Sequence, residues 1–152
     1  MKALMIDDDP TMTDLVGLML STNGLDVITS NNGEKGIQLV IQEQPDIIIL
    51  DLMMPGKDGW DVCKALRTFT TTPIIILSAL NDPDIISAAL DGGADDYIVK
   101  PISGGVLMAR INMLTRRHRA EIKGTKIAVD APLAEIYAIA QKPLQASPPG
   151  VQ

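Results

Sequence analysis

Aromatic side chains are nearly missing from this chain. Its 152 residues hold one Trp, one Phe and two Tyr, 3% in all, so Ile, Leu, Val, Met and Ala must build any core. A single cysteine, Cys63, excludes an internal disulfide and suits a reducing compartment. Its apolar neighbours Val62 and Leu66 point to a buried thiol on a helix rather than a reactive one. No apolar run approaches the roughly 20 residues of a membrane span. The N-terminus turns acidic at Asp7, unlike a secretory signal, so the chain is expected to be cytoplasmic. Positive charge is also scarce. The net charge of −6 and a pI near 4.6 argue against direct nucleic-acid binding, which needs clustered cations.

What is present is enough for a core: 46% of the residues are apolar and 21% charged. The length fits one domain with a short appendage. Strand-like and helix-like runs alternate. The first apolar run, Ala3-Leu4-Met5-Ile6, ends at Asp7 and Asp8. Asp9-Pro10 then reads as an N-cap and first helical residue, ahead of an apolar face of Met12, Leu15, Val16, Met19 and Leu20. A strand at Val27-Ile28-Thr29 precedes a helix marked by Ile37, Val40 and Ile41. The third strand, Ile47-Ile48-Ile49-Leu50, ends at Asp51, and Val62, Cys63 and Leu66 stripe the next helix. The fourth, Ile74-Ile75-Ile76-Leu77, ends at Ser78 before a helix from Pro83 to Leu90, and the fifth, Tyr97-Ile98-Val99, ends at Lys100. Leu107, Ile111 and Leu114 stripe a last helix that is expected to end in the basic run Arg116 to Arg119. Five β-α units predict a parallel sheet with helices on both faces. In such sheets the carboxyl ends of the strands share one crevice, so the acid pair, the acid, the hydroxyl and the lysine can meet there.

Each residue alone has a blander reading: Asp7 to Asp9 as capping acids, Ser78 as a strand end, Lys100 as a surface lysine. The ordered set is more specific. The segments Met5-Ile6-Asp7-Asp8-Asp9, Asp46 to Gly56, Ile76-Leu77-Ser78-Ala79 and Gly93-Ala94-Asp95-Asp96-Tyr97-Ile98-Val99-Lys100-Pro101 closely resemble the receiver domain of two-component response regulators. The resemblance covers residues 1 to 119 and implies an α/β, doubly wound, flavodoxin-like (CheY-like) fold with strand order 2-1-3-4-5. It implies a phosphoacceptor rather than a turnover enzyme, with Asp51 taking a phosphoryl group from a sensor histidine kinase or phosphotransfer protein. Asp7, Asp8, Asp51 and the Met53 backbone carbonyl would hold Mg²⁺, a cation that favours oxygen ligands and substrate phosphate. Lys100 would contact a phosphoryl oxygen, and Ser78 and Tyr97 would form the switch pair. A cis Lys100-Pro101 bond would aim the lysine. Phosphate would then bias the surface of the fourth helix, fifth strand and fifth helix.

The Asp95-Asp96-Tyr97 and Ala109-Arg110-Ile111 segments are most similar to receivers of the winged-helix transcription-factor subfamily, which pair acids with an arginine across a symmetric dimer. Here the fourth helix has no Lys or Arg, and Gly104-Gly105-Val106 stands where an acid is usual, so Ile85, Ile86 and Val106 would supply apolar contacts to a homodimer. Met53 and Leu80 occupy the positions that border the attacking water in this family; both are apolar, which implies slow self-dephosphorylation.

Residues 120–152 form a tail. Leu133, Ile136, Tyr137 and Ala140 suit a short amphipathic helix near 132–141, with disorder expected beyond it. That is too little chain for a DNA-reading module. The alternatives are a truncated DNA-binding regulator and a haloacid-dehalogenase-like phosphatase, whose usual second Asp is replaced by Met53. A flavin or dinucleotide carrier lacks its Gly-rich loop after the first strand.

Overall fold

A computed structural model describes residues 1–56 and 58–124. The expected tail helix and disordered end lie outside the described residues. Five strands, β1 (Lys2–Ile6), β2 (Asp26–Ser30), β3 (Ile47–Leu50), β4 (Ile74–Ser78) and β5 (Asp96–Val99), form one parallel sheet in the order β2-β1-β3-β4-β5. The helices α1 (Pro10–Thr22), α2 (Gly33–Glu43), α3 (Gly59–Arg67), α4 (Pro83–Asp91) and α5 (Gly104–Gly124) connect and follow them. This is the doubly wound architecture that the alternating runs predict.

Unbroken apolar runs become central strands because helices cover both faces of the sheet. Successive side chains point to opposite faces, so each strand supplies two cores. Leu4, Ile6, Ile48, Leu50, Ile74 and Ile76 pack with Ile37 and Val40 of α2, Val62 and Leu66 of α3 and Ala89 of α4. On the other face, Ala3, Met5, Ile47, Ile49, Ile75 and Leu77 pack with Val16 and Leu20 of α1 and with Leu107, Ile111 and Leu114 of α5. Each fully buried branched aliphatic contributes roughly 1.5–3 kcal/mol relative to exposure. Aliphatic residues thus replace the missing aromatics throughout.

Two local expectations differ from the structure. Leu15, assigned above to the inner face of α1, is 55% exposed, and Thr13 is buried in its stead. At about 100° per residue, the sheet-facing centre of α1 lies between Thr13, Val16 and Leu20, with Leu15 well round the flank. Thr13 is accommodated because its hydroxyl donates to the Pro10 carbonyl. The second difference is at α5, which continues to Gly124 rather than ending in the basic run. Among the described residues, no helix is long and apolar enough to cross a membrane.

Candidate functional site

The carboxyl ends of β1, β3 and β5 open on the same edge, and the register brings their last residues together. Ile6 pairs with Leu50, so the acids that follow each strand become neighbours. Carboxylate oxygens of Asp7, Asp8 and Asp51 lie within 4.8 Å of one another. From β5, the Lys100 ammonium reaches back to Asp7 Oδ2 at 3.1 Å and Asp51 Oδ2 at 3.7 Å. Asp7 and Asp51 are both buried. Lys100 precedes Pro101 through a cis peptide bond, as expected.

Each group is held differently. Asp7 Oδ1 accepts from the Asp9 amide at 3.0 Å while its other oxygen takes the lysine. Asp51 Oδ1 accepts from the Met53 amide at 3.4 Å. Asp8 is half-buried, and among the described residues no donor holds its carboxylate. Burial pushes the Asp51 carboxyl above the usual aspartate range; Lys100 opposes this, Asp7 reinforces it, the Met53 amide opposes it and Asp8 adds to it. Three crowded acids facing one ammonium make a net-negative, partly desolvated cluster. An all-oxygen donor set of this kind suits a hard divalent cation.

Ser78, the last residue of β4, is fully buried, and its Oγ accepts from the Leu80 amide at 3.3 Å. Tyr97 on β5 is half-buried, and its hydroxyl donates to the Leu80 carbonyl at 2.7 Å. The two residues therefore meet through Leu80, a mediator that its apolar side chain did not advertise. Met53 stands 60% exposed beside the acids. Gly59, at the start of α3, was also missed: a Cβ there would collide with the backbone of Asp51 and Leu52. Its amide donates to the Leu52 carbonyl at 3.0 Å, so the helix can approach the Asp51 loop only because the side chain is absent.

Away from the acids, Asp96 pairs with Arg110 of the same chain at 3.0 Å, and Asp95 with Arg67. The surface of α4, β5 and α5 exposes Leu90, Val99 and Val106, while Ile85 and Ile86 are half-buried. Cys63 is buried and lines a cavity of about 190 Å³ with Leu52, Trp60, Lys64 and Ala88, which none of the acids enters. Burial pushes its thiol above the ordinary range despite the opposing Arg67, so it is a packing residue.

Residues 3–112 match the family described as response regulator receiver domain. The chain is 43% identical over 118 residues to the transcriptional regulatory protein AfsQ1 of Streptomyces coelicolor, covering 78% of this chain and 52% of that protein. It is 36% identical over 120 residues to the DNA-binding response regulator MtrA of Mycolicibacterium smegmatis, covering 79% and 53% respectively. The chain thus spans about half the length of these curated relatives. The BeF3-activated N-terminal receiver domain of RstA from Klebsiella pneumoniae superposes with a TM-score of 0.74 at 34% identity, over 76% of this chain and 99% of that one.

Proposed function

This chain belongs to the response regulator receiver family, and on that premise we propose that Asp51 accepts a phosphoryl group from a phosphohistidine on a sensor kinase or phosphotransfer protein. The observation that carries the reading is the convergence of Asp7, Asp8, Asp51 and Lys100 on one strand-end crevice. An Asp51 carboxylate oxygen attacks phosphorus, the P–N bond breaks and the imidazole leaves, producing an aspartyl phosphate. Lys100 donates to a phosphoryl oxygen and stabilises charge there. Asp7, Asp8, Asp51 and the Met53 carbonyl would hold Mg²⁺. When bound, that ion neutralises charge on the acids and on the transferring group. The protein acts in the cytoplasm as a phosphoacceptor and not as a turnover enzyme.

The signal leaves through Leu80. A phosphoryl oxygen on Asp51 accepts from the Ser78 O–H and draws the hydroxyl away from the Leu80 amide that donates to it, and Leu80 also carries the carbonyl that anchors Tyr97. Movement of one residue is then felt by the other, which biases α4, β5 and α5 between two arrangements. That surface pairs two copies through Val106, with the exposed Leu90 and Val99 taking the place expected of Ile85 and Ile86, which are half-buried, because Asp95 and Asp96 are already engaged within the chain. Light scattering with and without a phosphoryl mimic tests the dimer: a monomer in both states would refute it.

A second reading draws on the coverage of the relatives. In it, this receiver is the regulatory half of a longer transcriptional regulator, and the length of the genomic reading frame distinguishes the two. For the acceptor itself, the protein is incubated with Mg²⁺ and a small acyl phosphate and its intact mass measured. Wild type should gain one phosphoryl group and Asp51→Ala none. Equal labelling of both, or of neither, would overturn the assignment.

A further inference from the structure

Among the described residues nothing anchors the Asp8 side chain, so its direction depends on its backbone. The backbone on either side of Asp7 is fixed by the end of β2 and the loop that follows it. The Asp7 amide donates to the Ser30 carbonyl at 3.1 Å. The Asp7 carbonyl, which belongs to the same peptide plane as the Asp8 amide, accepts from Asn31 Nδ2 at 2.8 Å. The second hydrogen of that amide group goes to Thr13 Oγ1 at 3.1 Å, and the Thr13 hydroxyl passes on to the Pro10 carbonyl. The orientation of Asn31 follows from chemistry: a carbonyl can only accept, so the NH₂ end must face Asp7.

No simpler duty accounts for Asn31. Its neighbour Asn32 caps α2, accepting from the Lys35 amide. Asn31 is itself exposed, so burial does not explain it. Both flanking residues are locked, Ser30 by burial and by its hydroxyl bond to the Asn32 carbonyl. The amide is therefore held ready, and it ties the acid-bearing loop to α1 and to the β2–α2 loop at once.

We infer that Asn31, braced by Thr13, is a positioning residue that sets the Asp7–Asp8 peptide and so aims the Asp8 carboxylate at the cation. The inference rests on the metal reading above. Partners that orient a ligand without touching the metal typically change affinity by about 10- to 100-fold, and one acting through the backbone belongs at the low end.

The test is magnesium affinity of the full chain by calorimetric titration, with a cation-free thermal melt for each variant. Asn31→Ala should weaken binding by about tenfold and Thr13→Val by roughly threefold, the size of one lost neutral hydrogen bond. Thr13→Ser, which keeps the hydroxyl, should bind as wild type does. The double variant should be no weaker than Asn31→Ala alone, because both changes break one linkage. Unchanged affinity in Asn31→Ala, with or without a lower melting temperature, overturns the inference. Should Asn31→Ala fail to fold, equal affinities of Thr13→Val and Thr13→Ser overturn it instead. Asp8→Ala separates the two levels: if wild type binds no magnesium, or Asp8→Ala binds as well, the metal reading itself falls.

Discussion

Neutralising the acceptor should stabilise this protein when no cation is present. Asp51→Asn keeps the side-chain volume and an oxygen for the Met53 amide, and removes one charge from the cluster. With carboxylate oxygens within 4.8 Å of each other, each acid pair repels by about 3 kcal/mol at an effective dielectric near 20. The Lys100 ammonium at 3.7 Å returns about 4 kcal/mol of attraction on the same scale. Two repulsions less one attraction leave about 2 kcal/mol against a charged Asp51, which solvent screening at the half-buried Asp8 reduces to about 1 kcal/mol. Burial acts in the same direction and is the largest cause of the raised Asp51 pKa. For a domain of this size, roughly 3–5 °C per kcal/mol gives a melting temperature at least about 3–5 °C above wild type, in chelator at neutral pH.

The pH dependence has a definite sign. The folded state holds the Asp51 proton more tightly than the unfolded chain does, since its pKa is raised from 3.8. The stability Asp51 contributes is therefore complete below that unfolded value and is lost as pH rises through the higher folded one. The gap between Asp51→Asn and wild type should open across that window and then stay level. Magnesium should close or invert it, since a ligand at a hundred times its Kd adds about 2.7 kcal/mol to the state that binds it. The assay is a series of melts across pH, in chelator and in magnesium. An Asp51→Asn protein that melts at or below wild type in neutral chelator would refute the electrostatic account of the site.

Three further outcomes follow from the geometry. Lys100→Met strips the ammonium from two buried acids, so the cation-free protein should lose about 3 kcal/mol, read by urea unfolding. Its labelling by an acyl phosphate should slow by about a hundredfold, the order seen when one charge-stabilising donor is removed. Gly59→Ala drives a methyl into the Asp51–Leu52 backbone and should destabilise by roughly 3 kcal/mol, as overpacking does at its upper range; an unchanged melting temperature would mean the helix yields freely. Because Met53 and Leu80 offer no polar atom from their side chains to orient water, the phosphorylated protein should lose phosphate slowly. Met53→Asn should speed that loss, measured as inorganic phosphate released, and a rapid loss from wild type would contradict this.

Much of this was legible in the residue order. Ile47 to Leu50 cannot serve a half-exposed strand, because every position is apolar, and the structure buries all four. A strand covered on both faces belongs at the centre of a parallel sheet, and its carboxyl end belongs at the crevice, so Asp51 could be located before any coordinates. The misses have a common cause. Leu15 satisfied a helical period yet lost its buried place to Thr13, whose hydroxyl donates within its own helix and accepts from Asn31 only through the fold. Asn31 stands 24 positions from Asp7 in sequence. Leu80 acts through its backbone, which every residue has. Periodicity reports which side chains avoid water; it carries no information about a carbonyl 24 residues away.

The cluster of acids is also where the rules that build the rest of the molecule are broken. Elsewhere, charges near the surface find partners, as Lys2 does with Glu43 and Arg67 with Asp95. At the strand ends three carboxylates crowd together; the two buried ones share one ammonium, and the third has no donor among the described residues. A fold maintains such a conflict only where the surrounding structure over-determines it. Here that structure is visible: β1 and β3 in register, the Asn31 brace, and a glycine that lets α3 close on the acceptor loop. Burial, reinforced by Asp7 and Asp8, raises the Asp51 pKa, and the same burial and crowding would make the site favour an added cation and respond to an added phosphoryl group. A receiver whose acids were comfortably paired would be more stable and would have little reason to change shape.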